Sequence, residues 1–254
     1  MKQSIILWLG AIVITFLSGY VESVTSKNYP VTGTIGIEGK KVSYKFDKIT
    51  TSELGLDILL RTDADSLRGY VECKFDTSMV WQSYPLKEEL QILKTHISIP
   101  KDIKQIIYRV VLFHKQNRTI LQDRNEPVLL TVKGRVPKMI DTFFYLFLFC
   151  GLLLSARSGL EFFNQNEKIK KLSIFTLIFL SSGIIIFLPL KKIYEFRALG
   201  SKVLPAGDLI DQALSIILVL WIVAVVMEFV FKNYRIIPLI ASILTIVLFQ
   251  FIEL

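Results

Sequence analysis

Cysteine, methionine and histidine are the ligand types of a blue-copper centre, and the chain holds Cys73, Met79, His96 and His114 in one stretch. Copper sites of that kind draw Cys, His and Met from a single short loop. Here eighteen or more positions separate Cys73 from His96 and His96 from His114, so the spacing argues against a metal and for ordinary surface or core side chains. Neither histidine lies in an apolar run, which argues against axial haem ligation. The sequence contains no G-x-S-x-G, no H-E-x-x-H, no phosphate loop and no C-x-x-C. No catalytic residue, metal or cofactor is therefore assigned, and no enzymatic activity is expected.

Charge gathers elsewhere. Residues 191–211, KKIYEFRALGSKVLPAGDLID, join two apolar runs and carry Lys191, Lys192, Glu195, Arg197, Lys202, Asp208 and Asp211. Asp208 and Asp211 stand three apart at the start of an expected helix, so both can face one side and meet its positive N-terminal end. Helix capping and interfacial snorkelling account for such a group. The alternative is an acid pair gripping a cation, a lipid amine or a partner's arginine. Glu195, Arg197, Asp208 and Asp211 are accordingly the candidate polar site. Arg157 and Glu161, four apart, are spaced for an ion pair on one helix face, with a structural role as the simpler account. Glu228, near the end of its apolar run, is expected to reach headgroups or Arg235.

Two kinds of element must position these groups. The 254 residues are 52% hydrophobic with a mean hydropathy of +0.50, too apolar for an ordinary soluble domain. The excess is uneven, because residues 31–137 read like a water-soluble protein and almost everything after Lys138 reads like helix facing lipid. The formal net charge of +8 does not imply nucleic acid: residues 31–137 hold 17 Lys+Arg against 13 Asp+Glu, interspersed rather than striped. With only two cysteines, Cys73 and Cys150, in segments of opposite character, a disulfide framework is excluded.

The chain starts with Lys2 and an uncharged apolar run, Ile5 to Leu17, the length of a signal-peptide core. No A-x-A-like site follows, so a cleaved signal and an uncleaved anchor over residues 1–22 both remain open. From Tyr29 the texture becomes short runs of Val, Ile, Tyr, Phe and Thr between turn formers. Strands are expected at 31–37, 41–46, 54–61, 69–75, 89–97, 105–113 and 128–132, with turns at Glu38-Gly39, Thr62-Asp63-Ala64-Asp65 and Gln116-Asn117-Arg118. Seven strands at this spacing suggest an immunoglobulin-like or fibronectin-like β-sandwich over residues 30–137. Membrane spans are expected at 139–156, closed by Arg157, and at 172–190, 209–231 and 236–252, packed as an antiparallel four-helix bundle over residues 138–254.

Near-membrane Lys and Arg are evenly divided between the two sides, so charge does not orient the chain. The N-terminal segment of export type does, and places the β-domain outside the cytoplasm.

Lys133-Gly134-Arg135-Val136-Pro137 before the first span, the run Leu154 to Glu161 after it, and Pro189-Leu190 through Tyr194, Phe196 and Ala198-Leu199 to Gly207-Asp208-Leu209-Ile210-Asp211 together resemble a group of uncharacterised bacterial membrane proteins. In that group, too, an extracytoplasmic β-domain precedes four spans. The likeness covers roughly residues 105–225. Where the group has a tryptophan-rich, histidine-bearing loop and an Asn-Lys after the acidic pair, this chain has Gly200-Ser201-Lys202-Val203 and Gln212-Ala213. The resemblance implies architecture and a bacterial cytoplasmic (inner) membrane location, and no activity.

The expected fold is thus an α+β multi-pass membrane protein with an N-terminal signal peptide or anchor. The expected function is a membrane-anchored interaction or assembly protein presenting its β-sandwich at the outer face, or an accessory subunit of a membrane complex. Its partners would be membrane lipids and another membrane or extracytoplasmic protein. The alternative is a small-molecule or cation-handling membrane protein using Asp208 and Asp211.

Overall fold

The computed structural model describes residues 2–37, 40–63, 67–76, 78, 80–100, 102–114, 117–123, 126–164, 168–197, 206–231 and 234–252. The expected turns at Glu38-Gly39 and at Ala64-Asp65, together with Gln116, lie outside them. The chain is α+β and divides into two compact units. One comprises Met1–Lys27, Val136–Tyr194 and Val203–Leu254; the other comprises Asn28–Arg135 and Glu195–Lys202.

In the β unit, eleven strands among the described residues form two sheets: β1 (Val31–Ile37), β2 (Lys40–Phe46), β3 (Ile49–Thr51), β4 (Leu56–Thr62), β5 (Arg68–Phe75), β6 (Gln82–Pro85), β7 (Lys87–Glu89), β8 (Ile92–Ile97), β9 (Gln105–His114), β10 (Asn117–Leu121) and β11 (Val128–Lys133). One sheet has the order β1-β2-β4-β8-β7, and the other β3-β11-β9-β5-β6 with β10 also paired to β9. Alternation sets the faces. In β4, Leu56, Ile58, Leu60 and Thr62 are buried while Asp57, Leu59 and Arg61 are exposed. The inward residues of both sheets, among them Phe46, Ile58, Val71, Ile106 and Leu130, form one core. Tyr108 lies within it and sends its hydroxyl to the Asp47 carbonyl at 2.8 Å, as a buried phenol requires.

Four of these strands escape the sequence pattern. β3, β6, β7 and β10 are three to five residues long, and β7, Lys87-Glu88-Glu89, has no buried position. Such short strands carry no inward-facing signal to read. The expected strand 89–97 breaks after Glu89, because Leu90 and Gln91 form a two-residue hairpin loop between paired Glu89 and Ile92. Both have positive φ, +49° and +64°. That is the geometry of a type I′ turn, normally filled by Asn-Gly.

In the helical unit, α1 (Lys2–Thr25) is continuous and packs against α2 (Lys138–Leu160), with Phe16 and Phe149 edge to face at 5.5 Å. α2 does not end at Arg157. That side chain is buried and paired with Glu161, so the helix runs on through a 3₁₀ turn to Phe163. α3 (Ile169–Ser181) continues through a π-helical turn, Ser182–Phe187, into α4 (Leu188–Arg197). Pro189 explains the wide turn, since it has no N–H for the preceding turn and its ring crowds the carbonyl four residues back. Gly151 lets α2 and α3 approach, because a Cβ there would lie 2.6 Å from Leu180. α5 (Gln212–Val230) and α6 (Ile236–Phe249) complete the unit, and α6 packs on both α2 and α5.

Four helical stretches among the described residues are long and apolar enough to cross a membrane: Gln3–Thr25, Lys138–Phe163, Ile169–Phe196 and Gln212–Val230. The expected fourth C-terminal span, 236–252, is instead a 14-residue helix. It rises about 21 Å at 1.5 Å per residue, short of a hydrocarbon core of roughly 30 Å. Its end tightens through bonds from the Gln250 and Phe251 N–H groups to the Val247 and Leu248 carbonyls.

Two left-handed non-glycine residues in one loop carry strain of about 1 kcal/mol each. Replacing them by the preferred pair, L90N with Q91G, is expected to raise the stability of the β unit by about 1–2 kcal/mol. Denaturant unfolding of the full chain in mild detergent, followed by fluorescence, measures the shift; an unchanged or lower midpoint contradicts it.

Candidate functional site

The last two turns of α2 and the 3₁₀ turn after it bring polar side chains into the interior of the helical unit: Ser155, Arg157, Ser158 and Glu161 are all buried. Arg157 is 3% exposed and Glu161 1%, and the two form an ion pair one helical turn apart. Hydrogen bonds complete the carboxylate. Its other oxygen accepts from Asn164 Nδ2 at 2.7 Å and from the Lys168 backbone N–H at 3.0 Å. Arg235 Nη2 donates to the Asn164 carbonyl at 2.7 Å, tying the segment before α6 to the same turn. On the other side the Arg157 guanidinium lies 5.5 Å from the centre of the Trp8 ring of α1. Among the described residues, Arg157 Nε is buried with no hydrogen-bond partner.

A second polar group lies among α2, α3 and α5. Ser173 donates to Glu228 Oε1 at 2.6 Å, and Ser158 stands 2.9 Å from Ser173. Because the Ser173 proton is directed to the carboxylate, Ser158 is the donor in the serine pair. Glu228 is 1% exposed and turned inward, so it does not reach headgroups or Arg235 as its position near a span end led one to expect. The sequence signal it offered was a lone acid, with no trace of the two serines that hold it.

A cavity of about 520 Å³ opens beside the Arg157–Glu161 pair, bounded by Gln3, Trp8, Lys168, Lys171 and Phe175. Elsewhere in the unit, Lys191 is buried and donates to Tyr145 Oη at 3.0 Å and pairs with Asp141 at 2.9 Å. Sequence spacing gave no hint of that triad, since forty-six positions separate Tyr145 from Lys191.

The candidate polar site on residues 191–211 is only partly described. Asp211 caps α5, its Oδ1 accepting from the Leu214 N–H at 2.9 Å, and this accounts for one acid of the pair. Asp208 lies on the 3₁₀ turn Ala206–Leu209, and its side chain and that of Arg197 are outside what the structure describes. Glu195 belongs to the β unit, where its carboxylate is 3.6 Å from Lys133 Nζ and its carbonyl accepts from the Gly134 N–H at 2.8 Å.

Cys73 and His96 stand on different sheets. Cys73 is fully buried on β5 in the core, where burial pushes its thiol up to about 12 and leaves it a poor nucleophile. His96 stands on β8 of the other sheet, its Nδ1 2.7 Å from Asp57 on the neighbouring β4. Met79 lies outside the described residues. Among those described, no three His, Cys, Asp or Glu side chains gather as metal ligands do. No protein-family model, curated protein or solved structure matches the chain.

Removing one partner of a buried ion pair strands the other charge. R157M and E161L are each expected to destabilise the helical unit by about 3–5 kcal/mol, and the two together by clearly less than the sum. A double-mutant cycle from thermal unfolding in detergent checks this, and additive losses would contradict it.

Proposed function

We propose that the chain is a multi-pass protein of the bacterial cytoplasmic membrane that presents its β unit, a sandwich of immunoglobulin or fibronectin type, at the outer face to hold a protein partner. It acts as an interaction or assembly protein, or as an accessory subunit of a membrane complex. The helical unit supports the membrane premise through inverted polarity. Ile216, Val219, Ile222, Val226 and Phe229 of α5 face outward, while Ser173, Glu228 and Thr245 face inward. A surface of that kind is stable in hydrocarbon and costly in water.

The observation that carries the interaction reading is Leu90. It is 96% exposed, apolar, and held at positive φ on a hairpin tip where asparagine would be relaxed. Exposed strained residues persist where a function uses them. A projecting leucine presented on paired strands is an anchor for an apolar pocket on another protein. The cation-handling alternative has less support, because Asp211 is engaged in capping its own helix.

Substituting a photo-crosslinking amino acid for Leu90 in cells tests this. A discrete protein adduct is expected from position 90 and none from the exposed position of Lys45, with co-purification falling about tenfold in L90N Q91G. Recovery of the chain alone and monomeric, without an adduct, in several mild detergents contradicts the proposal.

The N-terminal helix supports a retained anchor over a cleaved signal. Trp8 covers Arg157, Gln3 Nε2 donates to the Phe163 carbonyl at 2.8 Å, and Gln250 Nε2 donates to Ser18 Oγ at 3.0 Å. Loss of α1 would uncover a buried charge. The intact mass of protein purified from membranes is therefore expected to include the first 25 residues, and a product beginning after residue 18–26 would overturn the anchor.

A further inference from the structure

The backbone N–H and C=O groups along the last strand of a sheet are open to another chain unless something blocks them. The β unit blocks most of its edges. Among the described residues, β3 and β7 are three residues long, and every residue of β7 is charged. β6 carries Pro85, and β10 is five residues long and includes Arg118. β1 differs from all of these. It closes its sheet with seven residues, Val-Thr-Gly-Thr-Ile-Gly-Ile, and has no charge and no proline. It has no bulge either, since it pairs one to one with β2, from Val31 with Phe46 to Ile37 with Lys40.

The far side of β2 shows which groups of β1 are open. The Lys41 carbonyl accepts from the N–H of Asp63 at 3.2 Å, on the β4 side, and so points away from β1. Strand backbone groups alternate in direction. Lys41, Ser43 and Lys45 therefore address β4, while Val42, Tyr44 and Phe46 address β1. Through the register, Thr32, Thr34 and Gly36 turn their N–H and C=O groups to the open edge. The core is also incomplete there. Val31, Ile35 and Tyr44 pack against it but stay half-buried, and the Tyr44 ring lies over Gly33, where a Cβ would collide with it.

This edge is complementary to a second copy of itself. Two β1 strands related by a two-fold axis at Thr34 run antiparallel, and no other register pairs all seven residues. Thr34 then meets the partner's Thr34, Thr32 the partner's Gly36, Gly33 the partner's Ile35 and Val31 the partner's Ile37. The open backbone groups face one another, and each Ile35 comes beside a glycine and the Tyr44 ring that covers it. Charge does not oppose the joint. Lys45 stands opposite Thr32 and Lys41 opposite Gly36, so a lysine of each copy is separated from the other by three strand spacings, about 14 Å. Physiological salt screens exposed charges over about 8 Å.

We propose that β1 is a self-pairing edge through which two copies of the chain join their sheets about Thr34. One pair of strands is a small contact beside a standard interface of about 1,600 Å², so the dimer forms reversibly with concentration. Leu90 belongs to the opposite edge of the same sheet, so a missing adduct there leaves this proposal standing.

The test uses the full chain in mild detergent. T34C is made together with C150S, which leaves the buried Cys73 as the one native thiol. At the two-fold axis the paired Cα atoms lie about 5.5 Å apart, within reach of a disulfide. Mild oxidation is expected to give a disulfide-linked dimer from T34C at least tenfold faster than from K87C C150S on the β7 edge. Sedimentation is expected to show a concentration-dependent dimer that is lost in T34P, which removes an N–H of the open edge, and in T32K T34K, which places charge there. S43A loses the Thr34–Ser43 hydroxyl contact and leaves the edge intact, so it keeps the dimer. Should T34P fail to fold, T32K T34K decides. A monomer at every concentration, T34C no faster than K87C, a dimer that survives the edge variants, or a T34C adduct with a different protein in place of the dimer overturns the proposal.

Discussion

A charge removed from water must be met by an opposite charge and by hydrogen bonds, and in the helical unit that requirement is strictest at Arg157 and Glu161. Meeting it draws in four parts of the chain. α2 supplies the pair itself, the turn after it supplies Asn164 and the Lys168 N–H, the segment before α6 supplies Arg235, and α1 lays Trp8 over the guanidinium. None of these segments satisfies the pair alone. The ion pair therefore acts less as a source of net stability than as a condition on register: the helices must meet in one arrangement for the charges to be tolerated at all. The chain from Ser158 through Ser173 to Glu228 imposes a similar condition between α2, α3 and α5.

The β unit answers to a different constraint. Two sheets share a core of alternating aliphatic and aromatic residues, and water outside takes up the remaining polar groups. Its strands can shift by one residue only by exchanging core for surface, so register is secure over most of its length. That security is what lets the hairpin between β7 and β8 keep two left-handed non-glycine residues, because the pairing of Glu89 with Ile92 leaves only a two-residue loop to close it. The strain falls on Leu90, where the side chain contributes least to the fold and is most available to another molecule.

The functional reading follows from these two solvents. An interior that gathers polar groups and an exterior of isoleucine, valine and phenylalanine suit a lipid setting. In the reading proposed above, the β unit is the part that meets a partner.

Much of this could be read directly from residue order. Apolar runs, Val- and Ile-rich strands and the abrupt change near Lys138 determine that the chain is α+β with long apolar helices, because hydropathy and periodicity are local properties of neighbouring residues. The i, i+4 spacing of Arg157 and Glu161 is likewise local, and the possibility of their pairing is visible in one helical turn. Tertiary structure alone decided that this pair is buried, that the N-terminal segment packs beside it, that the helix after residue 236 is short, and that Glu228 turns inward to a serine 55 positions away. It also decided which edges of the sheets are strands. The physical reason is common to all of these: burial, and the cost of an unmet charge or N–H, depend on what comes from distant parts of the chain, and no local pattern encodes the partner.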